Sequence, residues 1–206
     1  MDMATYITAF VTLFVVIDPV GLAPIFIALT PGMTGAERRR IGLRSLVIAA
    51  ILLTLFGLAG EAILSGIGIS ISAFRIAGGL LLFLTALDML FERRTERREG
   101  QAGMEEASHD PSVFPLAMPL LAGPGALATM ILLVGEGQGA GHIVMVHLMM
   151  LAVLAIAMVL FVLATPLARL LGRTGTMVVT RLLGMLLAAL SVQFVIDGLR
   201  GSGLFG

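Results

Sequence analysis

Apolar residues fall into six long runs, at about 5–29, 42–64, 69–90, 113–134, 143–165 and 177–199, and the polar residues gather between them. Each run reaches the roughly 18 residues that span a bilayer core. In lipid a spanning backbone must satisfy its own hydrogen bonds, so each run is expected to be helical. The alternating pattern of a membrane β-barrel is absent. The pattern therefore predicts an all-α membrane protein with six transmembrane helices.

The runs repeat in threes. The first set covers about Thr5 to Leu90 and the second about Val113 to Leu199. Each opens on a run interrupted by Pro and Gly and closes on a run that carries an arginine. Arg75-x-x-Gly78 followed by Thr85 matches Arg181-x-x-Gly184 followed by Ser191. Pro19 precedes Arg75 by 56 residues, and Pro124 precedes Arg181 by 57. An odd number of spans per copy turns the second copy upside down, the plan of many secondary transporters. The expected organisation is a first three-helix repeat over 1–98, a cytoplasmic linker over 99–112 and a second three-helix repeat over 113–206, as one membrane domain.

Helices 1 and 4 are expected to be broken mid-membrane. Pro19 and Pro24 remove backbone donors on either side of Gly21, and Pro115, Pro119 and Pro124 with Gly123 and Gly125 act likewise in span four. Unwound backbone at that depth is tolerated against protein or a watery cavity, which points the two breaks at each other. The half-helices starting near Pro24 and Ala126 would aim N–H groups and positive dipole ends into the protein, where they suit a carboxylate. The carbonyls before them suit an ammonium, so a small zwitterion meets both demands. Thr129 follows the second break and Phe26 flanks the first. Asp18 is an intramembrane carboxylate, costing about 2.5–3.5 kcal/mol on insertion scales. Its open roles are binding an ammonium or cation, carrying a proton, pairing with Arg75 or Arg181, or capping the half-helix that follows. Arg75 is a gating or ion-pair candidate, with Glu61 or Asp18 as partner. Arg181 sits near a span end and is expected to reach the nearer surface.

Charge sets orientation. Arg38, Arg39, Arg40 and Arg44 lie between spans one and two, Arg93, Arg94, Arg97 and Arg98 between three and four, and Arg169 and Arg173 between five and six. The turns near 65–70 and 135–142 have no arginine or lysine. The positive-inside rule puts the basic turns in the cytoplasm and both termini outside, in a bacterial inner membrane. The N-terminus lacks a basic region and a small-residue cleavage site, so the first run reads as an uncleaved helix. Thirteen basic and thirteen acidic residues balance, and no nucleic-acid partner is expected. The lack of Cys and the five-residue spacing of His142 and His147 argue against a metal site. With Asp18 the sole reactive group at depth, no catalytic residues and no cofactor are expected beyond a coupling H+ or Na+.

The segments Asp18-Pro19-Val20-Gly21-Leu22-Ala23-Pro24-Ile25-Phe26 and Gly123-Pro124-Gly125-Ala126-Leu127-Ala128-Thr129, with those around Arg75 and Arg181, resemble the MarC family of bacterial and archaeal six-helix membrane proteins. The resemblance covers the whole chain. It implies likeness to amino acid exporters with a three-plus-three repeat, and some relatives move glycine or alanine with an ion gradient. Carried over, Asp18, Pro19, Gly21, Pro24, Gly123, Pro124, Gly125 and Thr129 fall in the substrate region. Many relatives place Asn where this chain has Leu22. The expected function is a secondary transporter of small neutral amino acids, with the lipid bilayer as its surroundings and a homo-oligomer left open. The alternative is a non-transporting membrane protein that senses or scaffolds, in which Asp18 and the breaks are structural.

Overall fold

The computed structural model describes residues 3–91, 110–137 and 139–203. Most of the expected linker, together with Arg93, Arg94, Arg97 and Arg98, lies outside the described residues. The described chain forms α1 (Met3–Ile17), α2 (Pro19–Leu29), α3 (Gly35–Gly66), α4 (Ile71–Leu90), α5 (Ser112–Leu121), α6 (Pro124–Gly135), α7 (Ala140–Val162) and α8 (Ala164–Gly201). Five stretches are long and apolar enough to cross a membrane: Met3–Leu29, which joins α1 and α2, then α3, α4, α7 and α8. The α5–α6 pair makes a sixth if its two arms, bent by 55°, form one span.

Three boundaries differ from those expected. Helix α3 starts seven residues before 42, because Thr34 and Glu37 close a capping box. Glu37 N–H donates to Thr34 Oγ1 at 3.3 Å, and Thr34 N–H donates to Glu37 Oε2 at 2.7 Å. Arg38, Arg39 and Arg40 are thus helical, although hydrophobicity alone leaves them in a turn. The turn expected between spans five and six is also helical: α8 runs through Arg169 and Arg173, interrupted at Gly172 (φ 60°). Span four is irregular rather than α-helical over its first half, α5. Pro115 and Pro119 bias the residues before them toward extended backbone. Phe114 (φ −128°, ψ 127°) and Met118 (φ −132°, ψ 123°) adopt it, inside a loosely wound segment whose Phe114–Pro115 and Met118–Pro119 peptides are cis. Regular helix resumes at Pro124.

Of the five long stretches, Met3–Leu29 is the central one. Of its most apolar window 61% is buried, against 28% in each of the other four. Leu13, Ile17, Leu22 and Phe26 fill the middle of the core. The helices around it keep one apolar face outward. On α3 that face is Leu43, Val47, Ile51, Leu55 and Leu58, all exposed and spaced as one helical stripe. So large an apolar exterior is suited to lipid rather than water.

The tightest helix pairing joins α4 to α8 through small residues spaced by seven. A Cβ on Gly79 would lie 2.8 Å from Ser191 O, one on Gly184 3.3 Å from Ala86 O, and one on Gly198 2.9 Å from Ser72 O. As the α4 number rises the α8 number falls, so the two helices run antiparallel at near-backbone contact.

Candidate functional site

Asp18 stops α1 and starts α2. Its backbone is left-handed (φ 56°, ψ 63°), and among the described residues it is the one non-glycine with positive φ. Asp is among the few non-glycine residues that visit this region, here against the bias toward extended backbone that a following proline sets; Pro19 itself, with its φ already helical and no N–H to satisfy, takes the ordinary first position of a helix. Gly21 N–H donates to Asp18 Oδ1 at 3.1 Å, so the carboxylate caps α2. Gly21 is needed for that approach, because a Cβ there would lie 2.2 Å from Asp18 Oδ2. Asp18 and Pro19 are buried, Gly21 is half-buried and Pro24 is exposed on the outer side of α2.

The second interruption is built differently. Gly123 is extended (φ −73°, ψ 168°) ahead of α6, and no side chain caps that helix. The first N–H groups of α6 therefore lack the carboxylate that α2 has. Thr129 is fully buried and donates to Gly125 O at 2.8 Å within its own helix. Pro124 is exposed, and Gly123 and Gly125 are half-buried.

The two interruptions meet. A Cβ on Gly125 would lie 3.5 Å from Val16 Cγ1, two residues before Asp18, and 3.4 Å from Leu82 Cδ2 of α4. Thr85 Oγ1 is 3.9 Å from the same point. The start of α6 is thus wedged between the last turn of α1 and the middle of α4. Gly125 lies at this junction with Thr129 one helical turn on, and Asp18 follows Val16 by two residues; Pro24 and Pro124 are exposed. Thr12, one and a half turns before Asp18, is fully buried and its Oγ1 has no hydrogen-bond partner. Sequence reasoning passed it over, since a lone Thr in an apolar helix carries no signal of its own.

The charged candidates lie elsewhere. Arg75 Nη2 is 4.0 Å from Glu136 Oε1, directly after α6, rather than beside Glu61 or Asp18. Glu61 is exposed on α3 and Arg181 is exposed on α8. Glu136 had no signal in the sequence: an acid between two glycines after an apolar run looks like an ordinary turn. Beside it, His142 is buried and its Nε2 is 2.8 Å from Leu133 O in the last turn of α6. Toward the arginine-rich turns, a cavity of about 180 Å³ is lined by Phe26, Arg38, Arg39, Phe161 and Thr165. Phe26 stacks on Phe161 at 4.4 Å there, and Arg38 Nη2 donates to Thr30 O at 3.1 Å. Phe26 thus serves that end rather than the junction of the breaks.

The profile of a family described as MarC family integral membrane protein matches residues 3–202. A UPF0056 membrane protein of Archaeoglobus fulgidus is 41% identical over 97% of this chain and 96% of its own length. UPF0056 membrane protein YhcE of Escherichia coli is 34% identical over 97% and 94%. UPF0056 membrane protein YvbG of Bacillus subtilis is 34% identical over 98% and 97%. No solved structure matches the chain.

Proposed function

We propose that this chain, which belongs to the MarC family of integral membrane proteins, is a multi-pass inner-membrane secondary transporter that moves small neutral amino acids of glycine or alanine size by alternating access. The observation that carries this reading is the packing of Gly125 on Val16, which brings the interruption at Asp18 beside the uncapped start of α6. The substrate's ammonium would lie on the Asp18 carboxylate and its carboxylate on the first N–H groups of α6, where the helix dipole favours a negative charge. The closeness of the walls argues for a small substrate: a methyl built on Gly125 would already touch Leu82 and Val16 at 3.4–3.5 Å. Asp18 is wholly buried, so loading requires the walls to part.

The halves are read as inverted repeats with the first and fourth spans broken at mid-depth. The antiparallel α4–α8 seam supports this, since the third helices of two inverted repeats must run in opposite directions. The arginine-rich turns face the cytoplasm and both termini face outward in this reading. The only co-substrate it needs is a coupling H+ or Na+.

Proteoliposomes loaded with labelled glycine or alanine test the proposal. Wild type is expected to exchange label, and Asp18→Asn to lower the rate at least tenfold. One observation favours a static role instead: the bond from Gly21 N–H already gives Asp18 a capping function. If folded wild type exchanges no small amino acid, the sensing or scaffolding reading takes over.

A further inference from the structure

Helix α6 carries Gly125 of the junction at its start and Glu136 at its end. We propose that Glu136 is the proton-binding group of this protein: as a carboxylate it ties Arg75 of α4 to the end of α6, and as a carboxylic acid it releases that tie. Calling the proton a coupling ion rests on the transporter reading; the proton-sensitive tie does not.

A carboxylate is poorly placed at this point. It follows the C-terminus of α6, where the helix dipole is negative, and its side chain is only 28% exposed. Arg75 stands against that cost at 4.0 Å, the outer limit of an ion pair, and the Arg75 Nε is buried without a hydrogen-bond partner. The tie is loose enough to break.

The surrounding helices complete the setting. From α7, His142 approaches Leu133 O through Nε2; a carbonyl only accepts, so Nε2 is the donor and Nδ1 is the ring nitrogen left over. That Nδ1 is buried and unpartnered. From α1, the Tyr6 ring lies 6.0 Å from the imidazole. From α8, Asp197 adds a second carboxylate, held by Gln193 Nε2 at 2.9 Å and Arg200 Nη1 at 3.8 Å. From α3, Glu61 is exposed next to Gly60, which packs on Ile131 of α6. Burial raises the Glu136 carboxyl above the usual glutamate range. Arg75 opposes that rise, Asp197 adds to it, and His142 opposes it.

The step balances simply. A proton from the solution at this end adds to a Glu136 carboxylate oxygen, and the Arg75 guanidinium loses its counter-charge. Arg75 and Gly78 lie on one stretch of α4, and Gly78 touches Leu132 of α6. Release at Glu136 therefore frees one end of a helix about 18 Å long whose other end forms half of the proposed substrate site.

The chain has no Cys, so two spin labels report the tie cleanly. Label pairs at Ile69→Cys and Gly137→Cys, in the full-length protein in nanodiscs, are expected to stay close at pH 8 and move apart at pH 5. Glu136→Gln should show the longer distance at both. Arg75→Gln should likewise show the longer distance at both, since it removes the other partner of the tie. A wild-type distance that ignores pH overturns the proposal, as does a transition that persists in Glu136→Gln; should that variant fail to fold, a transition that persists in Arg75→Gln overturns it equally. In proteoliposomes, Glu136→Gln should lose the pH dependence of glycine exchange, whereas Asp18→Asn slows exchange at every pH. If wild type moves no amino acid while Glu136 still governs the distance, the transport reading falls and the proton site stands. If exchange is present and Glu136→Gln keeps its full pH dependence, the coupling role falls.

Discussion

At the scale of single residues, the cap at Asp18 separates two roles that usually coincide. Asn caps a helix as well as Asp does. Asp18→Asn should therefore keep the break and hold or raise the melting temperature, because it also removes a buried charge. Asp18→Ala should lose about 1 kcal/mol more through the missing cap, read as a lower melting temperature than Asp18→Asn in the same detergent. Gly21→Ala should be at least as harmful, since its methyl would occupy the place of Asp18 Oδ2. Asp18 could be picked out from sequence because a carboxylate inside an apolar run is costly enough to need a reason. The partner of Arg75 could not. Glu61 and Glu136 are both acids near span ends, and choosing between them requires the packing of α4 on α6. Thr12 and His142 escaped for the same reason, as their importance lies in what surrounds them.

At the scale of elements, lipid solvation made most helices legible, since long apolar runs have few alternatives. It said less about where they end. The start of α3 is set by the Thr34–Glu37 capping box, a Thr-Gly-Ala-Glu stretch that an apolar scan ignores. The first half of span four is apolar enough to be a helix, yet two prolines four apart leave it irregular. The α4–α8 seam gives a sharp test. Gly79→Ala would push a methyl to 2.8 Å from Ser191 O and 3.1 Å from Val195 N, both backbone atoms that cannot step aside. It should cost about 1–3 kcal/mol in chemical denaturation. Gly141→Ala, at a helical glycine with open space around it, should be neutral or mildly stabilising. The same rigidity matters for motion: two helices in backbone contact cannot part cheaply, so any rearrangement should turn about this pair and leave it intact.

At the scale of the whole molecule, matched spacings are what the reading of repeated halves rests on, while the unequal chemistry of the two interruptions was visible only in part. Aligning Pro19 with Pro124 sets Asp18 against Gly123, so the sequence alone shows a difference in charge; that one helix start is capped and the other bare needed coordinates. The ends of the molecule also differ in their response to acid. Burial raises the folded-state value of Glu136 above its unfolded value of about 4.3. Ionised Glu136 therefore weakens the fold near neutral pH, and stability returns as pH falls through the folded value toward the unfolded one. The melting temperature should rise between pH 7.5 and about 5 in wild type and stay flatter in Glu136→Gln. Glu37, held low mainly by the Thr34 backbone N–H, and Asp110, held low mainly by the Ser112 hydroxyl, act in the opposite sense, and their loss begins only near and below about pH 4. The lone tyrosine has a practical bearing on all of this. The chain has no Trp, and its one Tyr rests on His142. Tyrosine emission, excited at wavelengths that phenylalanine does not absorb, thus arises at a single address, beside His142, and an experimenter can watch that corner of the molecule glow or dim without attaching anything to it.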